Sequence, residues 1–124
     1  MRSISYTAYM KSDEAKGSYS LLNNVLEQDV VILTPTKRFV IFGVLLDFVN
    51  ITKTGVIRFY SIIDGVNYRE IDGMPYDSAV DSDGVFWDQV VGSTDPFKIT
   101  YQSDVLEGGS RSIPYSITYG LLEQ

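Results

Sequence analysis

The densest run of acidic side chains lies at residues 72–88, DGMPYDSAVDSDGVFWD, which holds five aspartates and no basic residue. Within it, Asp81-Ser82-Asp83-Gly84 sets two carboxylates two residues apart beside a glycine turn, a spacing that occurs in calcium loops. The third ligand of the helix–loop–helix calcium motif and its closing glutamate are missing. Aspartate and glycine are also ordinary turn residues, so a solvated acidic loop accounts for the run better. We therefore predict no metal and no cofactor.

A second group of side chains could contact a glycan, or a planar or acidic partner. Sugar faces stack on flat aromatic rings, and arginine on a sheet can hold a carboxylate or stack on tyrosine. A large aromatic residue such as Trp87 packs in a core more often than it forms a binding platform, so a lectin-like module is the alternative hypothesis. The candidate contact residues are Arg58, Tyr60, Arg69, Tyr76 and Trp87.

The sequence contains neither cysteine nor histidine. Disulfides, zinc–thiolate sites and cysteine nucleophiles are therefore excluded within these residues, and the usual proton acceptor at neutral pH is missing. No G-x-S-x-G elbow and no phosphate-cradling glycine loop is present. We predict that the protein is not an enzyme; a catalytic domain built on aspartates ranks below the lectin-like alternative.

The charge is uneven along the chain. Residues 1–59 hold seven lysines and arginines against five carboxylates, and residues 60–124 hold three against eleven. Binding to phosphates requires clustered basic charge, which is absent, so we expect no nucleic-acid partner. The asymmetry would instead let the basic part of one copy meet the acidic part of another.

The hydrophobic pattern predicts one all-β domain. Apolar residues mostly alternate with polar ones, turn signals recur at short intervals, and no segment sustains a helical period. About eight strands with short connections are typical of an antiparallel β-sandwich of jelly-roll type. The candidate strand segments lie in residues 4–10, 18–22, 30–33, 38–50, 56–63, 66–71, 84–91, 97–102 and 113–121, of which the first two belong to a loosely patterned N-terminal stretch.

The regular alternation of the last two strands also predicts which side chains face the core. Asp64-Gly65 favours a two-residue hairpin turn, which would pair Ile63 with Val66 and Phe59 with Glu70. Arg58, Tyr60 and Arg69 would then share the opposite face. The predicted inward residues are Phe59, Ile63, Phe97, Ile99, Ile117 and Tyr119.

Residues 38–50, RFVIFGVLLDFVN, are hydrophobic at both odd and even positions. The segment is too short for a membrane span and carries Asp47, so we expect no membrane partner. In a sandwich only one strand face meets the core, and exposed large apolar side chains forgo about 1.5–3 kcal/mol each. The second face must be covered by residues 1–30, as an arm over its own sheet, or by other copies in a trimer or larger assembly. The predicted interface residues are Phe39, Ile41, Leu45 and Val49.

Three stretches carry a resemblance: TPTKRFVIFGVLLDFVN, TKTGVIRFYSIIDGVNY and FKITYQSDVLEGGSRSIPYSITYGLLE. Their order resembles that of small jelly-roll structural proteins of tailed-phage and other virus particles, such as head decoration and tail-accessory proteins. The resemblance covers residues 34–71 and 96–123, and no site residue is carried over with it. It implies a non-enzymatic homo-oligomer on a particle surface, made in the host cytoplasm and incorporated into the virion beside other virion proteins.

Overall fold

The computed structural model describes residues 10–34, 37–81, 84–89 and 91–122, and these form two packed β-sheets. The described residues contain no helix with the length and hydropathy that a membrane span requires. The nine strands are β1 (Met10–Leu21), β2 (Glu27–Leu33), β3 (Phe39–Asp47), β4 (Thr54–Ile62), β5 (Tyr68–Asp77), β6 (Gly84–Trp87), β7 (Val91–Ser93), β8 (Phe97–Ser103) and β9 (Arg111–Leu122).

Every strand pairing is antiparallel, and the strand order is that of a jelly roll. Sheet A runs β1-β9-β3-β6, and β7 also pairs with β3; sheet B runs β2-β8-β4-β5. The short strands β6 and β7 pair with opposite halves of β3, so they form one interrupted edge and the sandwich has eight strand positions. Consecutive strands repeatedly cross from one sheet to the other, as jelly rolls require. The predicted all-β jelly-roll sandwich is confirmed.

The core lies between the sheets and contains two aromatic clusters. Phe59 of sheet B stacks on Trp87 of sheet A with ring centroids 4.1 Å apart, and the Phe97 ring lies against both. Toward the other end Phe48 contacts Tyr76 and Tyr101, at 4.6 and 5.2 Å between centroids. Phe59, Phe97, Ile99 and Ile117 are buried as predicted, whereas Tyr119 is only half-buried.

The N-terminal stretch is part of the sandwich from residue 10 onward. β1 pairs with β9 over its whole length, from Met10 opposite Leu122 to Leu21 opposite Arg111. The predicted strand 18–22 matches the end of β1, whereas the polar sequence KSDEAKG before it has no apolar alternation, because an edge strand with a solvated outer face tolerates charge. Of the predicted arm, residues 10–21 belong to sheet A and residues 27–30 to sheet B, and residues 1–9 lie outside the described residues. The predicted strand 4–10 lies outside the described residues except for Met10.

The β4–β5 hairpin differs from the prediction in its turn and in its register. The connection spans residues 63–67 because the Asp64 carboxylate accepts the backbone N–H groups of Val66 and Asn67, which builds a longer turn. Ile63 was predicted to be inward but lies in this loop with 72% of its surface exposed. The longer turn pairs Tyr60 with Glu70, and a β-bulge in β5 then pairs Phe59 with Asp72.

Candidate functional site

The outer face of sheet A carries an exposed group of large apolar side chains. Phe42 and Leu45 of β3 and Phe86 of β6 are 41%, 54% and 61% exposed, and Leu45 pairs directly with Phe86. The Phe86 ring lies over Gly43, where a Cβ atom would come 3.2 Å from it. The glycine thus leaves room for the ring. We call Phe42, Leu45 and Phe86 the sheet A patch.

A β-bulge in β3 creates this arrangement. The pairing with β9 skips Phe42 between Ile41 and Gly43, so the alternation of inward and outward side chains changes there. Upstream of the bulge Phe39 and Ile41 face the core and are fully buried; downstream Val44 and Leu46 do so. The predicted interface set was therefore wrong for Phe39 and Ile41. Leu45 and Val49 are exposed, as that prediction requires.

The other half of the outer face of sheet A is polar. Glu14 of β1 accepts a hydrogen bond from the Ser116 hydroxyl of β9 at 2.9 Å and pairs with Lys16 at 3.2 Å. The Ser116 hydrogen bond, with Lys16 beside it, lowers the pKa of Glu14 below its usual value. The face therefore divides into a charged half over β1 and β9 and an apolar half over β3 and β6. A partner that covers the apolar half would not have to remove water from the charged side chains of the other half, so binding there costs less free energy.

The outer face of sheet B holds a paired polar cluster around Glu27. The Glu27 carboxylate accepts hydrogen bonds from the Tyr60 hydroxyl and, at 2.5 Å, from the Thr100 hydroxyl, and Arg58 lies 3.6 Å away. Arg58 also pairs with Glu70 at 3.3 Å. Partial burial, then the hydrogen bond to Glu27, raises the pKa of Tyr60 to about 12. For Glu27, partial burial is the largest effect and raises the pKa, but the hydrogen bonds and Arg58 outweigh it and the net pKa is lowered.

Lys98 completes this face by lying between two tyrosine rings. Its ammonium group is 4.9 Å from the centroid of Tyr60 and 4.3 Å from that of Tyr68, and it pairs with Asp29 at 3.6 Å. Cation–π contacts of this kind hold both rings in place. Sheet B thus presents charges that are already neutralised within the chain. The alternating sequence of β8 predicts that Lys98 faces outward. No sequence pattern identified Glu27 as the centre of the polar cluster on sheet B.

The five predicted contact residues are not brought together. Arg58 and Tyr60 lie side by side on the outer face of sheet B, but the longer β4–β5 turn shifts the register so that Arg69 pairs with the inward-facing Ser61, and Arg69 contacts Asp64 at 3.2 Å. Tyr76 and Trp87 are buried in the core, at 1% and 3% exposure. The predicted shared face of Arg58, Tyr60 and Arg69 was wrong, and Trp87 follows the core interpretation.

Aspartates of the acidic stretch 72–88 form hydrogen bonds that hold turns and a core side chain in place. Asp72 accepts the indole N–H of Trp87 at 2.7 Å. Asp81 accepts the backbone N–H of Asp77 at 3.0 Å, and Asp77 caps the turn that follows by accepting the N–H of Ala79. No group of three or more acidic side chains that could hold a metal ion occurs among the described residues. Ser82 and Asp83 of the weighed calcium motif lie outside the described residues.

Comparison with known proteins adds a likeness of fold. No protein-family model matches the chain, and no curated protein matches it. A chain from Bacillus endospore appendages, which form a family of disulfide-linked pili, superposes with a TM-score of 0.55 at 10% identity, over 93% of this chain and 89% of that one. This likeness shows the fold alone.

Two solved structures of infectious bursal disease virus also match. The Gt strain structure gives a TM-score of 0.49 at 12% identity and the VP2 subviral particle 0.46 at 12%, over 91% and 92% of this chain. The chain spans about a third of the length of these viral chains, with 33% and 32% covered.

Proposed function

We propose that this protein is a non-enzymatic structural component that assembles into a trimer or a larger ring through the sheet A patch. The exposed cluster of Phe42, Leu45 and Phe86 on one half of a sheet carries the proposal. Covering each of these side chains would contribute about 1.5–3 kcal/mol to association. The fold likeness to a pilus chain fits a structural role. Since this sequence has no cysteine, disulfides between these residues would not contribute to the assembly.

The lectin-like alternative loses its main residues in this geometry. Tyr76 and Trp87 contribute to the core, and Tyr60 donates its hydroxyl to Glu27 while Lys98 lies over its ring. A sugar would have to displace these contacts to stack there. The enzyme alternative has equally little support, because the described aspartates that form contacts hold turns, the Trp87 indole, the Lys98 ammonium group and the Tyr119 hydroxyl.

The decisive experiment compares aspartate substitutions at three aliphatic positions. Leu45→Asp should convert the assembly to monomers, because it would bury an unpaired charge against the next copy. Ile32→Asp is the matched control: Ile32 is 46% exposed on sheet B, so the assembly should persist. Leu46→Asp should unfold the domain, since Leu46 is buried. Light scattering after gel filtration gives the masses, and a wild-type chain that stays monomeric at high concentration would contradict the proposal.

Within this proposal the particle is a virion, with the chain as a capsid decoration or tail-accessory protein beside other virion proteins. The support is the jelly-roll fold together with the sequence resemblance described above. If this is right, the gene should lie among capsid and tail genes, and antibodies against the purified chain should label particle surfaces in electron micrographs. Unlabelled particles whose other structural proteins are all accounted for would count against it.

A further inference from the structure

The antiparallel strand order sorts the connections between the two ends of the sandwich. The β1–β2, β3–β4, β5–β6 and β8–β9 connections lie at one end, and the β2–β3, β4–β5 and β7–β8 connections lie at the other. We call the first the glutamate end, because the buried Glu107 lies in its β8–β9 loop, and the second the hairpin end, because it holds the β4–β5 hairpin loop. The two ends differ in surface chemistry.

The glutamate end is tied into one unit by Glu107. Its carboxylate accepts the backbone N–H groups of Thr52 and Lys53, at 2.9 and 3.0 Å, and the Thr52 hydroxyl at 3.0 Å. Arg111 pairs with the same carboxylate at 3.4 Å and donates to the Glu107 carbonyl at 3.0 Å. The β8–β9 loop is thus fixed to the β3–β4 loop.

The remaining loops of this end are joined to the same unit. The Asn23 side chain in the β1–β2 loop accepts the N–H of Gly108 at 3.0 Å, and the Ser78 hydroxyl in the β5–β6 connection donates to the Thr52 carbonyl at 2.8 Å. The buried Gln28 holds the β1–β2 loop by bonding both the N–H and the carbonyl of Leu22. Loops held in this way lose little freedom when a partner binds them.

The glutamate end exposes a group of aliphatic side chains on these fixed loops, and none of its described residues is an exposed aromatic one. They come from all four connections of this end, and each is between 44% and 77% exposed. Exposed apolar residues scattered singly are ordinary, but a group gathered at one end of a domain marks an interaction surface. Among the described residues the group consists of Leu22, Val25, Leu26, Val49, Val80, Val105 and Leu106.

The hairpin end offers a smaller apolar projection. Ile63 and Val66 are 72% and 76% exposed on the β4–β5 loop, whose shape is set by hydrogen bonds from Asn67 and Val66 to the Asp64 carboxylate. The same bonds lower the pKa of Asp64 well below its usual value, so the turn stays charged and formed. Gly65 supplies the positive φ of 82° at its tip. Two aliphatic side chains are therefore presented on a preorganised turn.

The charges at the two ends have opposite signs. Among the described loop and strand-end residues, the glutamate end has Asp47, Asp77, Asp81 and Asp104 against Lys53, while Glu107 pairs with Arg111 and Glu27, at the start of β2, pairs with Arg58. The hairpin end has Lys37, Arg38 and Arg69 against Asp64 and Asp95. One end is thus net negative and the other net positive.

We propose that the glutamate end binds the hairpin end of a second copy, so that the chains stack head to tail. The hairpin end of the second copy has both features that complement the glutamate end, namely exposed aliphatic side chains and a net positive charge. A contact between two different surfaces of the same chain is heterologous, and it repeats until it closes a ring or continues as a filament. The contact rests on the proposed function and makes the assembly directional, because each copy uses one end to bind the other end of the next copy. A lipid surface is disfavoured because the negative rim would be repelled by anionic headgroups.

Cross-linking tests the pairing directly, because the chain has no cysteine of its own. Val66→Cys and Leu106→Cys place one thiol at each end, at exposed positions. With a short bifunctional maleimide, the variant carrying both substitutions should give a ladder of covalent multimers, and a mixture of the two single variants should give dimers only. Either single variant alone should match Lys16→Cys, an exposed position on the outer face of β1. A double variant that cross-links no more than the single ones overturns the proposal.

A charge exchange then separates this contact from the sheet A patch. Val66→Asp and Leu106→Lys each put like charges together at the junction and should weaken end-to-end association at least about tenfold. Combining both in one chain should restore it, because each junction then pairs Asp with Lys. Both positions are exposed, and unchanged thermal unfolding would confirm that the variants fold. If Leu45→Asp reduces the assembly while neither end variant does, the end-to-end contact is overturned and the proposed function stands.

Discussion

Glu107 shows how one buried carboxylate can organise several loops. Its two oxygens accept two backbone N–H groups, one hydroxyl and an arginine. We predict that Glu107→Gln lowers the free energy of unfolding by about 1–3 kcal/mol, because the amide has one acceptor oxygen and leaves buried N–H groups unpaired. Chemical denaturation measures the change. The exposed Glu14→Gln should change stability by less than about 0.5 kcal/mol, and an equal loss at both positions would contradict this role.

The ionisation of Glu27 makes the stability of the fold depend on pH. Its pKa in the folded chain is lowered by hydrogen bonds from Thr100 and Tyr60 and by Arg58, against the opposing effect of partial burial. A carboxyl group with a lowered folded-state pKa stabilises the fold above its unfolded-state pKa, and this contribution is lost as the pH falls through the folded value. The melting temperature should therefore fall between about pH 5 and pH 3. Glu27→Gln should flatten that part of the profile; an unchanged slope would contradict it.

At the scale of single elements, two turns require glycine. Gly65 and Gly108 have φ of 82° and 97°, a region that costs an L-residue about 1–2 kcal/mol. We predict that Gly65→Ala and Gly108→Ala each destabilise the fold by about 1 kcal/mol. Gly92→Ala in β7 is the matched control, since an added Cβ there would only make ordinary 3.8 Å contacts. Thermal melts of the three variants give the comparison, and three equal values would refute the conformational argument.

The elements also show how far the sequence could be interpreted. Regular alternation located β8 and β9 and the inward positions of Phe97, Ile99 and Ile117, because side chains in a strand alternate between faces. In β3 the inward positions change from odd to even residue numbers at the bulge. This change could not be predicted, because the bulge depends on the pairing with β9 and the only sequence signal for it is Gly43. Ile63 was misplaced for a similar reason: the Asp64 carboxylate captured two backbone N–H groups and lengthened the turn. The patch at Phe42 and Phe86 was missed accordingly.

For the molecule as a whole, β9 is the strand on which sheet A depends. It lies between β1 and β3, and β9 is the partner of β1 throughout the described residues of that strand. We predict that a chain ending at Gly109 unfolds without a cooperative transition, because it also loses the buried Ile113 and Ile117. Circular dichroism melts would show this. A synthetic peptide of residues 111–122 should restore the transition when added, and a cooperative melt of the truncated chain alone would contradict the prediction.

The position of β9 also sets the order of events during synthesis. It is the last of the nine strands to leave the ribosome, yet it occupies an interior place in sheet A. Until residues 111–122 have emerged, β1 and β3 both have open edges, and the apolar inner face of sheet B lacks part of its cover. Open edges of this kind are where nascent chains pair with one another. A crowded polysome is thus the setting in which this fold is most exposed to aggregation, and slower translation of the preceding strands would lengthen that interval.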